Sequence, residues 1–351
     1  MRIVDMLRKN IVLLLTRRYD IMPNVINAPL KSILLVRPNH RLGNQLLLTP
    51  LLQEIEKIYP AARVSLLVKG NAAPAIFKSY KFDKIFQLPR WPLREPVRYL
   101  IVLIQMLASK YDLAFNAVPG SSSGRLFTTW ARAKVKFAGN HPSSLGLERN
   151  DAAHMGKLPV YAFRRLVFGI KARMTHDHVY RLDIKLTDRE LIEGYDALRK
   201  LFNNGRPTIA LYTYATRNKI YSSKWWHEFH DKLKNRYPGH NILEILPIEN
   251  VSQLSFCIPS FYSSDIRAMA SIIANSAVFI GADSGIMHLA SSSGAPTVGL
   301  FKVTSVDTYA PYGNGSLAID TTQVDMDTIV ARIEGILISS RQATEYLRSG
   351  P

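Results

Sequence analysis

Short apolar runs alternate with amphipathic stretches along most of this chain, and the alternation begins at Ser32. Residues 33–36 (Ile-Leu-Leu-Val) are apolar without a break, the pattern of a strand covered on both faces in a parallel sheet. After a polar loop over 37–44, apolar residues recur at Leu47, Leu48, Leu51, Leu52, Ile55 and Ile58, which is helical spacing. Pro60 ends that helix, and Pro50 falls in its first turn, where Thr49 can cap it. Further strands are predicted over 63–68, 84–88, 112–118 and 134–138, with helices over 72–80, 95–109 and 121–132 between them. From 141 to about 183 the periodicity fades while Arg, His and Gly accumulate, which marks an interdomain region. A second series then predicts strands over 208–213, 241–246, 277–280 and 296–301. Its helices fall over 225–237, 266–275 and 326–337, with one more opening at Met287.

Alternation of this kind predicts an α/β fold built on doubly wound parallel sheets. Two successive series predict two halves of like architecture, over 29–183 and 184–351, preceded by a separate segment, 1–28. The length of 351 residues is enough for each half to bury its own core. At 47% apolar residues the chain is globular and not dominated by disorder. One cysteine, Cys257, excludes an intrachain disulfide and a cysteine-based zinc site, and fits a reducing compartment.

The net charge of +18 admits nucleic acid, an anionic membrane surface or a phosphorylated substrate as partner. No helix-turn-helix, zinc-finger or RNA-recognition signature accompanies it, so nucleic acid is not the expected partner. In 1–28 the apolar run 11–15 is too short to span a bilayer or to form a signal-peptide core. With Arg2, Arg8, Lys9, Arg17 and Arg18 around it, the segment reads as a basic amphipathic helix on a membrane face, or as one packed on the protein's own surface. No transmembrane helix is predicted elsewhere, and the chain reads as cytoplasmic and peripheral to a membrane.

The densest candidate chemistry follows the strand over 277–280. Gly281, Asp283, Ser284 and Gly285 form a small polar turn before the helix. Glycines there let backbone approach a ligand, and the free amides and dipole of a helix start suit phosphate. Asp283 would order the turn or meet ligand hydroxyls, and His288 could reach the same anion. The same residues also fit a plain strand–helix connection capped by its Asp. A second candidate is Thr213-Tyr-Ala-Thr216-Arg217 followed by Lys224-Trp225, at the carboxyl edge of a predicted strand. There Thr216 can donate to a phosphate oxygen, and Lys224 brings a compact positive charge unless it is only a solvated first-turn residue. Glu249 lies in the loop after the next strand.

The string Asp283-Ser-Gly-x-x-His288-Leu-Ala, with Gly294-x-Pro296 and Pro311-Tyr-Gly313 after it, resembles the donor-domain signature of glycosyltransferase family 9. These are the heptosyltransferases of lipopolysaccharide core assembly, and the resemblance runs from about 33 to about 338. It implies the GT-B architecture, two Rossmann-like domains facing across a cleft, with the acceptor side N-terminal and the donor side C-terminal. It also implies an inverting, metal-independent transferase with no cofactor. Such an enzyme moves a heptose-like sugar from a nucleotide diphosphate sugar, ADP-heptose in the family, to a lipopolysaccharide-core or other glycan acceptor. The donor-binding residues implied are Thr216, Lys224, Glu249, Asp283, Ser284, Gly285 and His288.

On the acceptor side the family's loop ends Gly-Asp, and that Asp is its general base. Here Gly43-Asn44 stands in its place, and an amide cannot take up a proton at useful pH. His40 in the same loop is one replacement, with a pKa near the working range; a carboxylate from elsewhere, such as Asp112 or Asp151, is another. The remaining alternative is a nucleotide-sugar-binding pseudoenzyme that has lost its base. Arg37, Arg41 and Gly43 are expected to contact acceptor phosphate or carboxylate, or the donor's pyrophosphate. Asp325-Met-Asp327 looks like a metal-binding Asp-x-Asp, but reads as a helix start, where acidic residues suit the dipole.

Overall fold

The computed structural model describes residues 16, 25–26, 28–118, 120–139, 149–169 and 178–349, so the reading of 1–28 as an amphipathic helix falls almost wholly outside the described residues. The chain divides into two compact units, Met1–Tyr180 and Arg181–Pro351. Each carries one parallel sheet.

The first unit's strands are β1 (Ser32–Arg37), β2 (Arg63–Lys69), β3 (Lys84–Leu88), β4 (Lys110–Asn116) and β5 (Arg132–Phe137). They lie in the order β3-β2-β1-β4-β5. Its helices are α1 (Leu42–Leu46), α2 (Thr49–Ile58), α3 (Ala73–Ile76), α4 (Pro96–Ala108), α5 (Ser122–Trp130) and α6 (Leu158–Phe168). Residues 33–36 are fully buried, as their unbroken apolar run predicts for the centre of a parallel sheet.

Two sequence expectations change here. The stretch 141–183 is not irregular throughout, because α6 lies within it. That helix buries residues on every side, including Arg164, whose guanidinium meets Glu54 of α2 at 2.7 Å. A helix buried all round shows no amphipathic period, which is why the pattern hides it. Gly43 and Asn44 also lie inside α1 rather than at the end of a loop. This short helix is pinned by buried Gln45, whose amide donates to the Asn39 and Lys69 carbonyls.

In the second unit the strands are β6 (Thr208–Tyr212), β7 (Asn241–Ile245), β8 (Ser260–Phe261), β9 (Val278–Ala282), β10 (Thr297–Phe301) and β11 (Leu317–Asp320). The helices are α7 (Asp188–Phe202), α8 (Ser223–Arg236), α9 (Ile266–Ala274), α10 (Gly285–Ser293), α11 (Val306–Tyr309) and α12 (Met326–Ser349). The sheet order β11-β10-β9-β6-β7-β8 makes β6 the first strand wound outward in both directions. That is the Rossmann order, and it puts the topological switch point between β6 and β9. The strand tips there hold the loops at 213–219 and 283–285. In the first unit the corresponding switch lies between β1 and β4.

The expected fold class is therefore present: α/β, two parallel Rossmann-like units of the GT-B type. No helix among the described residues is long and apolar enough to cross a membrane.

Candidate functional site

The second unit's site is assembled at the carboxyl ends of β6, β9 and β10, three neighbours in the sheet. β9 ends at Ala282, and the next residue, Asp283, is buried. Its amide donates to the Leu300 carbonyl at 3.0 Å, which ties the turn to β10. Its carboxylate oxygen Oδ2 accepts from Lys219 Nζ at 2.5 Å and from the Thr304 hydroxyl. Both donors come from loops that leave the two strands flanking β9, namely β6 and β10. Among the described residues no donor reaches Asp283 Oδ1.

Ser284 then caps α10, its hydroxyl accepting from the Met287 amide at 3.3 Å. The Gly285 and Ile286 amides belong to the first helical turn and have no intrahelical acceptor. A Cβ on Gly299 would fall 2.6 Å from Met287 Sδ, so the bare glycine lets α10 settle against β10. His288, one turn further on, is buried with its ring 6.1 Å from that of Tyr309.

Lys219 reaches Asp283 because the loop after β6 turns sharply. Thr216 is exposed and extended, and the next residue, Arg217, holds φ +60 at the start of a single 3-10 turn, Arg217–Lys219. A non-glycine residue in that region costs roughly 1–2 kcal/mol, and such strain clusters at functional sites. Lys302, just past β10, donates to the Ile220 carbonyl at 2.5 Å and lies 4.7 Å from the centre of the Tyr221 ring. The Tyr221 hydroxyl pairs with Thr321 at 2.8 Å. Burial pushes the Tyr221 phenol up to about 12, with the charges of Asp320 and Asp283 adding to it. It therefore stays protonated and serves as a fixed dipole.

The sequence reading missed three members of this arrangement. Lys219 is the cation on Asp283, whereas Lys224 is exposed in the first turn of α8. Thr304 follows β10, outside the signature string. Glu244 is wholly buried in β7, where its carboxylate accepts from Thr213 Oγ1 at 2.6 Å and Ser252 Oγ at 2.5 Å. It thereby locks the loop after β6 to the loop after β7. Sitting in the run Asn-Ile-Leu-Glu-Ile, it reads in sequence as part of a core strand. Glu249 is exposed in that second loop. Burial raises the Tyr212 hydroxyl at the tip of β6, and the Glu249 charge raises it further.

In the first unit, the residues from the end of β1 onward divide by exposure. Arg37 is fully buried, and its Nη1 donates to Ala117 O at 3.3 Å across the switch point. His40 and Arg41 are exposed, and the Arg41 amide is held by Asn39 Oδ1 at 2.9 Å. Partial burial lowers the His40 pKa, and the charges of Arg90, Lys69 and Arg41 lower it further. The imidazole is thus held neutral, able to accept a proton. Gly43 is buried and Asn44 half-buried in α1.

The two alternative carboxylates are committed elsewhere. Asp112 lies at the opposite, amino edge of the sheet, bonded to Lys31 N, Ser32 N and Ser32 Oγ. Its salt bridge to Lys134, at 2.8 Å, holds it near 2 despite some burial. Burial would raise Asp151, but hydrogen bonds from Tyr161, Lys157 and Arg149 outweigh it and leave the pKa lowered. Asp325 accepts from the Thr328 amide at 2.8 Å and Asp327 pairs with Lys232 at 2.7 Å, as befits a helix start. Among the described residues no three His, Cys, Asp or Glu side chains converge as metal ligands.

Residues 263–329 match the family model described as Glycosyltransferase family 9 (heptosyltransferase), a span containing β9, α10 and Thr304. A solved glycosyl transferase family 9 protein from Veillonella parvula superimposes with a TM-score of 0.70 at 15% identity, covering 90% of this chain and 100% of that one. E. coli ADP-heptose lps heptosyltransferase II gives 0.64 at 14% identity, over 89% and 99%. E. coli heptosyltransferase WaaC with ADP gives 0.63 at 14% identity, over 87% and 99%. No curated protein matches by sequence.

Proposed function

We propose that this chain, a heptosyltransferase-like protein by its family 9 segment and its fold, transfers a sugar from a nucleotide diphosphate sugar to a glycan acceptor with inversion. The observation that carries this reading is the meeting of Lys219, Asp283 and Thr304 at the β6–β9 switch point, beside the open amides of α10. Open α/β sheets bind ligands at this position. A helix start and a positioned lysine supply what a diphosphate needs there.

In this reading the diphosphate lies against the Gly285 and Ile286 amides and Lys219, with Ser284 and Thr216 as further donors. Asp283 orients Lys219 and keeps Oδ1 for a ligand hydroxyl, and Glu249 takes a ribose hydroxyl near the tip of β6. His288, behind the first turn, supports the α10 start. An acceptor hydroxyl attacks the anomeric carbon, and the bond from that carbon to the diphosphate oxygen breaks. The bonding pair leaves with the diphosphate, whose charge Lys219 and the amides stabilise. The hydroxyl proton passes to the imidazole of His40, while Arg41 holds an anionic group of the acceptor. Asn44 can orient the hydroxyl but cannot take its proton.

ADP in the solved E. coli WaaC supports an adenine nucleotide as the donor's leaving group. A lipopolysaccharide-core acceptor, and work at the inner face of the inner membrane, follow from the same family reading. Calorimetry with ADP-, UDP-, GDP- and dTDP-sugars tests the donor side, with ADP-sugars expected to bind most tightly. Binding to none of the four removes the transferase reading. Tight binding without transfer to any lipopolysaccharide-core acceptor supports the pseudoenzyme alternative that Asn44 suggests.

A further inference from the structure

We propose that α4 and the turn before it form a docking face for an anionic lipid bilayer. The starting point is a helix that is apolar on both sides but covered on only one. Tyr99, Val102, Leu103, Met106 and Leu107 pack against the first unit's core. The opposite side presents Val97, Leu100, Ile101 and Ile104, all exposed. Their spacing is i, i+3, i+4, i+7, which draws one continuous stripe along the outside of the helix. The turn leading in adds exposed Trp91 and Leu93, the latter 97% accessible. Scattered apolar residues on a surface need no explanation, but a contiguous stripe of this kind marks an interaction surface.

Charge decides the occupant. Arg90 and Arg94 flank the Trp91 ring, at 5.5 and 5.9 Å from its centre, and Arg98 follows in the first turn of the helix. The one carboxylate of this segment, Glu95, is paired with Arg98 at 2.9 Å, and α4 itself contains no acidic residue. A second copy of the chain is a poor fit, because this face offers the arginines no carboxylate that is not already paired with Arg98. A bilayer with anionic headgroups fits each feature. Aliphatic side chains enter the acyl boundary, Trp91 sits at the headgroup level, and the arginines meet lipid phosphates. A helix of 13 residues extends about 20 Å, too short to span the hydrocarbon core, so it lies in the plane of the surface. The Gly70 amide donates to the Leu88 carbonyl at 2.9 Å, and a Cβ on Gly70 would fall 2.9 Å from His40 Cβ, so the end of β3 that leads into this turn borders the loop after β1. The proposal does not depend on the transferase reading.

Sedimentation of the full chain with vesicles tests it. The protein is expected to co-sediment with phosphatidylcholine–phosphatidylglycerol vesicles, less with phosphatidylcholine alone, and progressively less as salt is raised. The triple variant Leu100→Gln/Ile101→Gln/Ile104→Gln should lose roughly tenfold or more of that binding. Arg90→Gln/Arg94→Gln should lose the preference for the anionic vesicles. Circular dichroism and melting of both variants should match the wild type, since glutamine is a good helix former and these positions are exposed. As a second readout, Leu100→Cys in a Cys257→Ser background carries an environment-sensitive fluorophore, whose emission should shift to the blue on anionic vesicles. Undiminished binding by the triple variant would overturn the proposal and assign attachment to other residues, such as 1–28. So would a wild-type dimer that the triple variant converts to monomer without any change in vesicle binding.

Discussion

Two lysines five residues apart, Lys219 and Lys224, have opposite surroundings. Lys219 is drawn onto buried Asp283 by the left-handed turn at Arg217, while Lys224 stands in solvent at the start of α8. In the sequence, closeness to Trp225 pointed to Lys224. Nothing in the letters shows that Arg217 takes φ +60 and shortens the path to Asp283. The glycines and Asp283, by contrast, were legible, because a strand running into a small polar turn and a helix leaves few other geometries. His40 gives a prediction at the same scale. Its folded pKa lies below 6.5, so the imidazole is neutral at pH 7 and charges only under more acidic conditions. Transfer catalysed by His40 should therefore hold level above that range and decline as pH falls through a value below 6.5. Rate–pH profiles should show this acid limb in the wild type, and in His40→Ala a much lower rate without the limb. Retention of the limb and the rate in the variant would remove His40 as base. The same shift makes protonation unfavourable in the folded state, so acid also erodes stability slightly from pH 6.5 downward.

Among elements, α7 and α9 pack closely at a single glycine, Gly194. A Cβ at Gly194 would stand 2.4 Å from the Ser271 carbonyl oxygen, where backbone rather than a movable side chain blocks it. Gly194→Ala should destabilise the second unit by about 1–3 kcal/mol, seen as a drop in melting midpoint of about 2–4 °C for each kcal/mol. An unchanged midpoint would mean that the two helices separate freely. The sequence reading placed no helix over 188–202, although Thr187 and Glu190, which form a reciprocal capping box in the structure, stand at the start of α7. Helix α6 was not available, since burying Leu158, Tyr161, Phe163, Arg164 and Leu166 together leaves no polar side to set a period. α4 carries the converse lesson: its apolar spacing is plain in the sequence, but which side stays uncovered is a tertiary fact.

At the scale of the whole molecule, the two series of strands and helices predicted the two parallel sheets, because strands buried on both faces give unbroken apolar runs. Strand order was not legible, and it is the order that places the donor-side chemistry. With β6 flanked by β9 and β7, loops far apart in sequence, at 213–219, 283–285 and 302–304, come to one sheet edge. The central claim is that this edge binds a nucleotide diphosphate through Lys219. Calorimetric titration of ADP into the wild type, Lys219→Ala and Lys224→Ala tests it most directly. Loss of a charged hydrogen bond is worth about 1.5–3 kcal/mol, so Lys219→Ala should weaken ADP roughly 10–100-fold. Lys224→Ala, which removes a solvated charge, should cost less than about fivefold. Wild-type affinity in Lys219→Ala, or a loss confined to Lys224→Ala, would contradict the account.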